Sequence, residues 1–170
     1  NETFEPLLTK GTVTTSAERD FTVKVDVDGL DPNTRYYYRF SALDRKSPAG
    51  RTKTLPDGDV DSLKFAVVSC SNWQHGYFNA YDHIAEKSVD VVLHLGDYIY
   101  EYGADRSKLP GRTHLPEHEI VSLADYRTRY SQYHLDEGLK QMRQRHPIIT
   151  IWDDHEVANN TFIEGAQNHQ

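Results

Sequence analysis

The sequence predicts an α/β domain that is preceded by a shorter all-β region, and two observations support this division. In the C-terminal part, apolar β-branched runs alternate with helical patterns, as expected when parallel strands alternate with helices. These runs are residues 65–68, 91–95 and 148–151. The N-terminal part combines period-two alternation, tyrosine-rich stretches and turn-forming residues, which is typical of β structure.

The change in pattern also sets the expected domain boundaries. We expect an incomplete all-β domain over residues 1–56 and an α/β domain over residues 63–170. The segment 57–62 is rich in aspartate and glycine and has the composition of a linker. The chain begins at Asn1 rather than methionine and ends in polar sequence, so we expect it to be part of a longer protein.

The composition describes an acidic, polar chain of 170 residues with a formal net charge of −7 and a mean hydropathy of −0.73. It provides no basic face for binding nucleic-acid phosphates. No apolar run approaches the ~20 residues that a membrane-spanning helix needs. The single cysteine excludes an internal disulfide framework but does not fix the redox compartment.

Three strands are expected in the N-terminal region. Apolar and polar residues alternate over residues 21–27, which predicts a strand with one buried face. Residues 36–40 and 50–55 are expected to form the other two strands. The turn between the first two, followed by Tyr36, has the form of a tyrosine corner, which closes one end of an immunoglobulin or fibronectin-type sandwich.

The C-terminal region begins with a predicted strand–helix–strand unit. Strands are expected at 63–69 and 89–95, with a helix between them carrying apolar residues at helical spacing. Such a unit forms a right-handed parallel crossover. Residues 103–119 contain two glycines and two prolines and predict a long loop.

Two further helices and a third strand follow the loop. Ser122 and Asp136 are expected to cap the two helices, and the second helix ends before Pro147. The third strand is expected at 148–152. His94, inside the second strand, is interpreted as a core histidine rather than a metal ligand.

Polar residues with metal-binding chemistry follow each predicted strand of the α/β domain. Strand-end loops of an open parallel sheet gather at one edge, where ligands bind. A thiol, a phenol, several carboxylates and an imidazole are expected at this edge, and together they could hold cations. They belong to the segments Ser69-Cys70-Ser71-Asn72, Gly96-Asp97-Tyr98-Ile99-Tyr100-Glu101 and Trp152-Asp153-Asp154-His155-Glu156.

Each of these residues also has an ordinary structural interpretation. Asp97 could cap a turn, Tyr100 could pack in an aromatic patch, and a lone Cys70 is most often inert and buried. The acidic run at 153–156 could simply be solvated. The shared position at strand ends favours a metal site over these separate interpretations, because unpartnered polar groups are costly to bury.

The two longer motifs resemble those of one phosphatase family. Gly-Asp-Tyr-Ile-Tyr-Glu at 96–101 and Trp-Asp-Asp-His-Glu at 152–156 are similar to the motifs of PhoD-like alkaline phosphatases/phosphodiesterases. These belong to the metallophosphoesterase superfamily, which includes purple acid phosphatases. Ser-Cys at 69–70 is similar to the first motif of the family. The resemblance implies the N-terminal half of a calcineurin-like α/β sandwich after an incomplete immunoglobulin/fibronectin-like domain.

The resemblance also implies a role for each site residue. Cys70 and Tyr100 would bind Fe(III), and Asp97 would bridge it to a second metal, Ca(II). Asp154 would bind the second metal, and Asp153 is a further candidate ligand. His155 would stabilise or protonate the leaving-group oxygen, so that His155 and Asp97 are the expected catalytic residues. Other divalent metals remain alternatives to this pair.

The function implied is metal-dependent hydrolysis of phosphomonoesters or phosphodiesters, with attack by a hydroxide activated by the dinuclear centre. The resemblance implies a secreted or periplasmic protein and further histidine ligands from a C-terminal segment. The superfamily completes its site with later histidine motifs of the Val-x-x-His and Gly-His-x-His types. His169 fits neither type, so the isolated 170-residue chain is expected to be inactive. The alternatives are a non-catalytic fragment and an immunoglobulin-like binding module on an α/β scaffold.

Overall fold

The computed structural model describes residues 1–167, so His169 lies outside the described residues. The chain divides after Asp61 into two compact units, and each is described by itself. Within the described residues, no helix combines the length and the apolarity that crossing a membrane requires.

The N-terminal unit contains two small antiparallel pairs of strands. β1 (Arg35–Tyr38) pairs with β4 (Gly50–Lys53). β2 (Ser41–Ala42) pairs with β3 (Arg45–Lys46) across a tight turn. Tyr38 lies opposite Gly50, where a Cβ atom would collide with the tyrosine ring, so glycine at this position lets the ring cover the neighbouring strand. The two strands predicted at 36–40 and 50–55 are therefore confirmed in shortened form.

The strand predicted over residues 21–27 is wrong. This segment forms no strand in the structure, and its larger apolar side chains are exposed, with Phe21 at 71% and Val25 at 50%. Alternation marks a strand only where a partner supplies hydrogen bonds and a core covers one face. Neither is available to this segment among the residues that the structure describes.

The hydrogen bond of a tyrosine corner is present in the N-terminal unit. The backbone N–H of Asp31 donates to the Tyr36 hydroxyl at 2.8 Å, which fastens the turn to the start of β1. This contact is the one by which a tyrosine corner is recognised in β-sandwiches. The complete immunoglobulin-like sandwich remains a proposal, since only two short strand pairs accompany the corner among the described residues.

The C-terminal unit is built on a three-stranded parallel sheet in the order β5-β6-β7. The three predicted strands are confirmed with shorter bounds. They are β5 (Phe65–Val68), β6 (Val91–His94) and β7 (Ile148–Thr150).

All three predicted helices of the C-terminal unit are present. α1 (Asn79–Ala85) lies between β5 and β6. α2 (Leu123–Tyr133) begins at a capping box in which the Ser122 side chain accepts from the Asp125 N–H. α3 (Glu137–Arg145) begins where the Asp136 carboxylate accepts from the Leu139 N–H at 3.1 Å. The expected caps at Ser122 and Asp136 are thus confirmed.

The core of the C-terminal unit covers one face of the sheet. Buried side chains from β6, α1 and α3 meet there, including Val92, Tyr81 and Met142. The opposite face is apolar and exposed among the described residues, because alternate strand residues such as Phe65 and Ile149 point away from the core. Parallel sheets are normally covered on both faces. The exposed face is therefore suited to further structure, as is the outer edge of β5, which pairs with no strand among the described residues.

The long loop predicted at 103–119 is confirmed, and its middle is fastened to the core. The Arg112 guanidinium lies 3.6 Å above the Trp73 ring and forms a buried 2.9 Å ion pair with Asp136. His114 is fully buried, with Nδ1 2.9 Å from the Tyr102 carbonyl oxygen and Nε2 3.1 Å from the Tyr133 hydroxyl. This loop therefore stabilises the unit as part of its core.

The burial of His114 predicts a stability that falls in mild acid. Burial and the charge of Arg129 lower the pKa of His114 to about 4, whereas a histidine in an unfolded chain titrates near ~6.5. The unfolded state therefore binds the extra proton between these values, so the free energy of unfolding falls as the pH drops through this window. We expect His114 to contribute a loss of about 3 kcal/mol between pH 7 and pH 4.

Thermal unfolding of the intact protein in chelator at pH 7 and pH 4 measures this loss. His114→Gln should reduce the pH dependence, whatever its effect at pH 7. His83→Gln, at an exposed position on α1, is the control and should leave the dependence close to that of the wild type. An unchanged slope in His114→Gln would contradict the assignment.

Candidate metal centre

The loops after β5 and β6 are joined by backbone hydrogen bonds. The N–H of Cys70 donates to the Gly96 carbonyl oxygen at 3.2 Å, and the N–H of Ser71 donates to the Asp97 carbonyl oxygen at 3.0 Å. Cys70 therefore lies beside Asp97, as the position at neighbouring strand ends predicts. The Cys70 thiol lies close enough to Asp97 and Tyr100 to shift the pKa of both side chains, lowering that of Asp97 and raising that of Tyr100.

Two of the expected ligands have left-handed backbone conformations. Cys70 has a φ of 59° and Asp97 has a φ of 53°. A non-glycine residue in this region is strained by about 1–2 kcal/mol, and such strain is concentrated at functional sites. Gly96, with a φ of 101°, also lets the third loop approach, since a Cβ atom there would collide with Asp153.

Glu156 holds the second and third loops together. Its carboxylate accepts hydrogen bonds from the N–H groups of Asp97 at 3.2 Å, Tyr98 at 2.5 Å and Asp153 at 2.9 Å. Glu156 is 7% exposed, so these donors replace water around a buried charge. The role of Glu156 is not visible in the sequence, because only the fold shows which N–H groups point at its carboxylate.

The Asp97 carboxylate is buried and only partly satisfied. Oδ2 accepts from the Tyr100 hydroxyl at 3.1 Å, whereas Oδ1 has no hydrogen-bond partner among the described residues. Burial raises the pKa of Asp97, and the neighbouring Cys70, His155 and Tyr100 side chains offset this only in part. An unpartnered carboxylate oxygen at the centre of a polar cluster is suited to a cation.

Tyr100 is a neutral phenol in this structure. Burial raises its pKa well above the ordinary value, and the neighbouring Asp97 and Cys70 raise it further. The phenol therefore keeps its proton, and its O–H donates a hydrogen bond to Asp97. Only a strong positive charge at this point would favour the phenolate, and a bound metal ion is the largest local charge that a protein site can offer.

The third loop brings Asp154 and His155 to Asp97. One potential ligand atom from each of these three residues lies within 4.8 Å of the other two. The Asp154 carboxylate accepts from the Asn160 N–H at 2.5 Å. Burial favours a higher pKa for Asp154, but this hydrogen bond and the neighbouring His155 outweigh it, so that the pKa of Asp154 is lowered.

Glu101 orients the His155 ring. The Nδ1–H of His155 donates to Glu101 Oε2 at 2.7 Å, and the other oxygen of Glu101 accepts from the Asn159 N–H at 2.7 Å. Glu101 is fully buried. The His155 ring also packs 4.1 Å from the Tyr100 ring, so its orientation is fixed on two sides. With Nδ1 occupied by Glu101, Nε2 is the nitrogen left for another partner.

Five of the six candidate site residues from the sequence therefore lie together, and the sixth, Asp153, lies outside the group. Asp97, Asp154 and His155 form the compact group, and Cys70 and Tyr100 adjoin it through Asp97. Asp153 is exposed and does not belong to the compact group. Sequence reasoning missed the role of Glu101. The signal that could have found it is a single carboxylate among apolar and aromatic residues, since a glutamate is rarely buried unless it is paired with another group.

The fold and the cluster define a class of protein: an α/β protein with potential metal ligands at the carboxyl ends of successive parallel strands. Comparisons with known proteins identify the family within this class. The sequence profile of the PhoD-like phosphatase matches residues 65–170, and that of the PhoD-like phosphatase N-terminal domain matches residues 1–56. The chain belongs to the PhoD-like phosphatase family. The resemblance carried by the two long motifs is thereby confirmed.

Individual relatives agree with this assignment. The chain is 46% identical over 165 residues to "Alkaline phosphatase D" of Bacillus subtilis (strain 168), a match that covers 94% of this chain and 28% of that protein. A solved structure titled "Structure of PhoD" superposes with a TM-score of 0.89 at 44% identity, covering 94% of this chain and 31% of that one. The chain thus spans less than a third of the length of these relatives.

Proposed function

We propose that the intact protein hydrolyses phosphate esters and that this chain supplies one side of its metal centre. The observation that carries the proposal is the group of Asp97, Asp154 and His155, whose potential ligand atoms lie within 4.8 Å of one another. The buried, unpartnered Oδ1 of Asp97 supports it independently. Family membership and the relative named as an alkaline phosphatase support phosphate esters as the substrate class.

The donor atoms fit a pair of unlike cations. The thiol of Cys70, the phenol of Tyr100 and the carboxylate of Asp97 would suit Fe(III), the cation that phenolate prefers. The carboxylates of Asp97 and Asp154 would suit a hard cation such as Ca(II), with Asp153 as a further candidate ligand. When bound, such a pair supplies positive charge that stabilises the phosphoryl oxygens and lowers the pKa of an attacking water.

His155 is proposed to transfer a proton to the leaving group. Glu101 holds Nδ1–H, so the protonated ring presents Nε2–H to the ester oxygen. As the P–O bond breaks, the proton moves from Nε2 to this oxygen, and the product alcohol leaves neutral. The carboxylate of Glu101 stabilises the imidazolium that must form before each such transfer.

The site is proposed to be completed by another segment of the intact protein that carries histidine ligands. The outer edge of β5, which has no partner strand in the described part of the chain, leads directly to Cys70. The neighbouring sheet face is exposed and apolar, so both offer a place for such a segment. The isolated 170-residue chain should accordingly lack activity. We further propose phosphomonoesters, phosphodiesters or both as the substrates and a secreted or periplasmic location, as the family resemblance implies.

Metal analysis of the intact protein tests this proposal. We expect bound iron and calcium, hydrolysis of p-nitrophenyl phosphates, and a visible phenolate-to-iron absorption that is lost in Tyr100→Phe. Tyr102→Phe is the matched control, because Tyr102 belongs to the same aromatic group and lies 5.2 Å from the His155 ring. A metal-free, colourless and inactive intact protein would refute the proposal, as would equal loss of colour in both variants.

A further inference from the structure

Cys70 needs support beyond the sheet to keep its conformation. Its φ of 59° is unfavourable for a residue with a Cβ atom. Backbone hydrogen bonds to Gly96 and Asp97 fix the loop on the side of β6. On the other side, the next residue, Ser71, is held by its side chain, which makes a short hydrogen bond to the Tyr81 hydroxyl.

Tyr81 connects this loop to the centre of the core. Its hydroxyl bonds both to Ser71 and, at 3.1 Å, to Nε2 of His94 on β6. Tyr81 is 3% exposed and His94 is fully buried. The chain Ser71–Tyr81–His94 therefore links the loop that carries a candidate metal ligand to a rigid strand, through hydroxyl and imidazole groups that the proposed reaction does not use.

Each member of this chain fixes its neighbour in one orientation. The Tyr81 ring is packed 5.5 Å from Phe78 and 6.4 Å from His94, so its hydroxyl has little freedom. A hydroxyl held in this way restricts the rotation of the Ser71 side chain and, with it, the backbone that directs Cys70. Groups that support a metal ligand through hydrogen bonds commonly determine its orientation and basicity.

We propose that Tyr81 is a positioning residue for Cys70, acting through Ser71 to hold the thiol against Asp97 and Tyr100. The inference rests on the proposed function for its link to metal binding, but the positioning itself is a property of this chain. Without the Tyr81 hydroxyl, Cys70 is free to relax toward an ordinary conformation, and its thiol moves away from the two neighbouring side chains.

A comparison of two buried tyrosine hydroxyls tests the proposal. Tyr81→Phe removes the link to Ser71. Tyr133→Phe removes a fully buried hydroxyl that likewise contacts a histidine, His114, and accepts from the N–H of Trp73 in the same loop. The two variants carry a similar loss of buried hydrogen bonds but differ in their connection to Cys70.

The first readout is the rate at which Cys70 of the metal-free intact protein reacts with Ellman's reagent. We expect a severalfold faster reaction in Tyr81→Phe than in the wild type and no change in Tyr133→Phe. The second readout is Fe(III) affinity, which should fall about tenfold or more in Tyr81→Phe. If the wild-type protein binds no iron, the proposed metal centre fails, while the thiol measurement still tests the positioning role.

The variant Ser71→Ala removes the same hydrogen bond from its other end. It should reproduce the effect of Tyr81→Phe on the thiol, and the double variant should show little further change, because both substitutions break one interaction. Equal reactivity of Cys70 in Tyr81→Phe and Tyr133→Phe would overturn the proposal. Additive effects of Ser71→Ala and Tyr81→Phe would overturn it as well.

Discussion

The Asp97→Asn variant of the intact protein is expected to lose phosphatase activity by about three orders of magnitude. Asparagine keeps the shape of the side chain and can still accept from the Tyr100 hydroxyl, but it removes the charge shared by the two proposed cations. Metal ions contribute several kcal/mol of charge stabilisation to such reactions, and about 4 kcal/mol corresponds to a thousandfold change in rate. Steady-state kinetics measure the loss of activity, and metal analysis measures how much iron and calcium the variant still binds.

The same substitution should not destabilise the metal-free protein. The Asp97 carboxylate is buried, its Oδ1 has no partner among the described residues, and burial raises its pKa. Replacing a buried, poorly satisfied charge with a neutral group lowers the cost of burial. We therefore expect thermal unfolding in chelator to occur at the same or a higher temperature, which is the behaviour of a residue retained for function rather than stability.

Asp82→Asn is the matched control, because Asp82 is an exposed carboxylate on α1 in the same unit and lies outside the compact group. It should retain most of the iron and lose far less activity than Asp97→Asn. Equal losses in the two variants would show that the compact group does not define the metal centre. An unchanged metal content in Asp97→Asn would do the same.

The sequence predicted the architecture of the C-terminal unit because local signals and tertiary contacts agree there. The apolar runs of β5, β6 and β7 are too hydrophobic for a loop. Ser122 and Asp136 mark helix starts through hydrogen bonds that involve only neighbouring residues. The failed strand at 21–27 lacks this agreement, since its alternation was genuine but no partner strand is present among the described residues.

The site was predictable in position but not in its supporting contacts. Successive strand ends of a parallel sheet must meet, so the approach of Cys70, Asp97 and Asp154 follows from chain order alone. The roles of Glu101 and Glu156 depend instead on where N–H groups and a histidine lie in three dimensions. Such contacts join residues more than fifty positions apart and leave no periodic signal.

The His155→Gln variant should show a loss of activity that depends on the leaving group. General acid catalysis contributes about 10²–10⁴-fold where the departing oxygen needs a proton. An alkyl phosphate releases a strongly basic alkoxide and should show a loss in this range. A p-nitrophenyl ester releases a weakly basic phenolate that needs little assistance, so its loss should be about tenfold or less. Values of kcat for the two ester classes give this comparison.

Glu101→Gln separates proton transfer from ligand binding in the same experiment. Glutamine has one acceptor oxygen in place of the two of Glu101, so it can accept from the Asn159 N–H or from the His155 Nδ1–H but not from both. It also lacks the charge that stabilises the imidazolium. We expect kcat for the alkyl ester to fall by about 10–100-fold while iron content stays unchanged. If His155 served only as a metal ligand, His155→Gln would lower activity equally toward both ester classes. Glu101→Gln would then lower the metal content, and its effect on kcat would not depend on the leaving group.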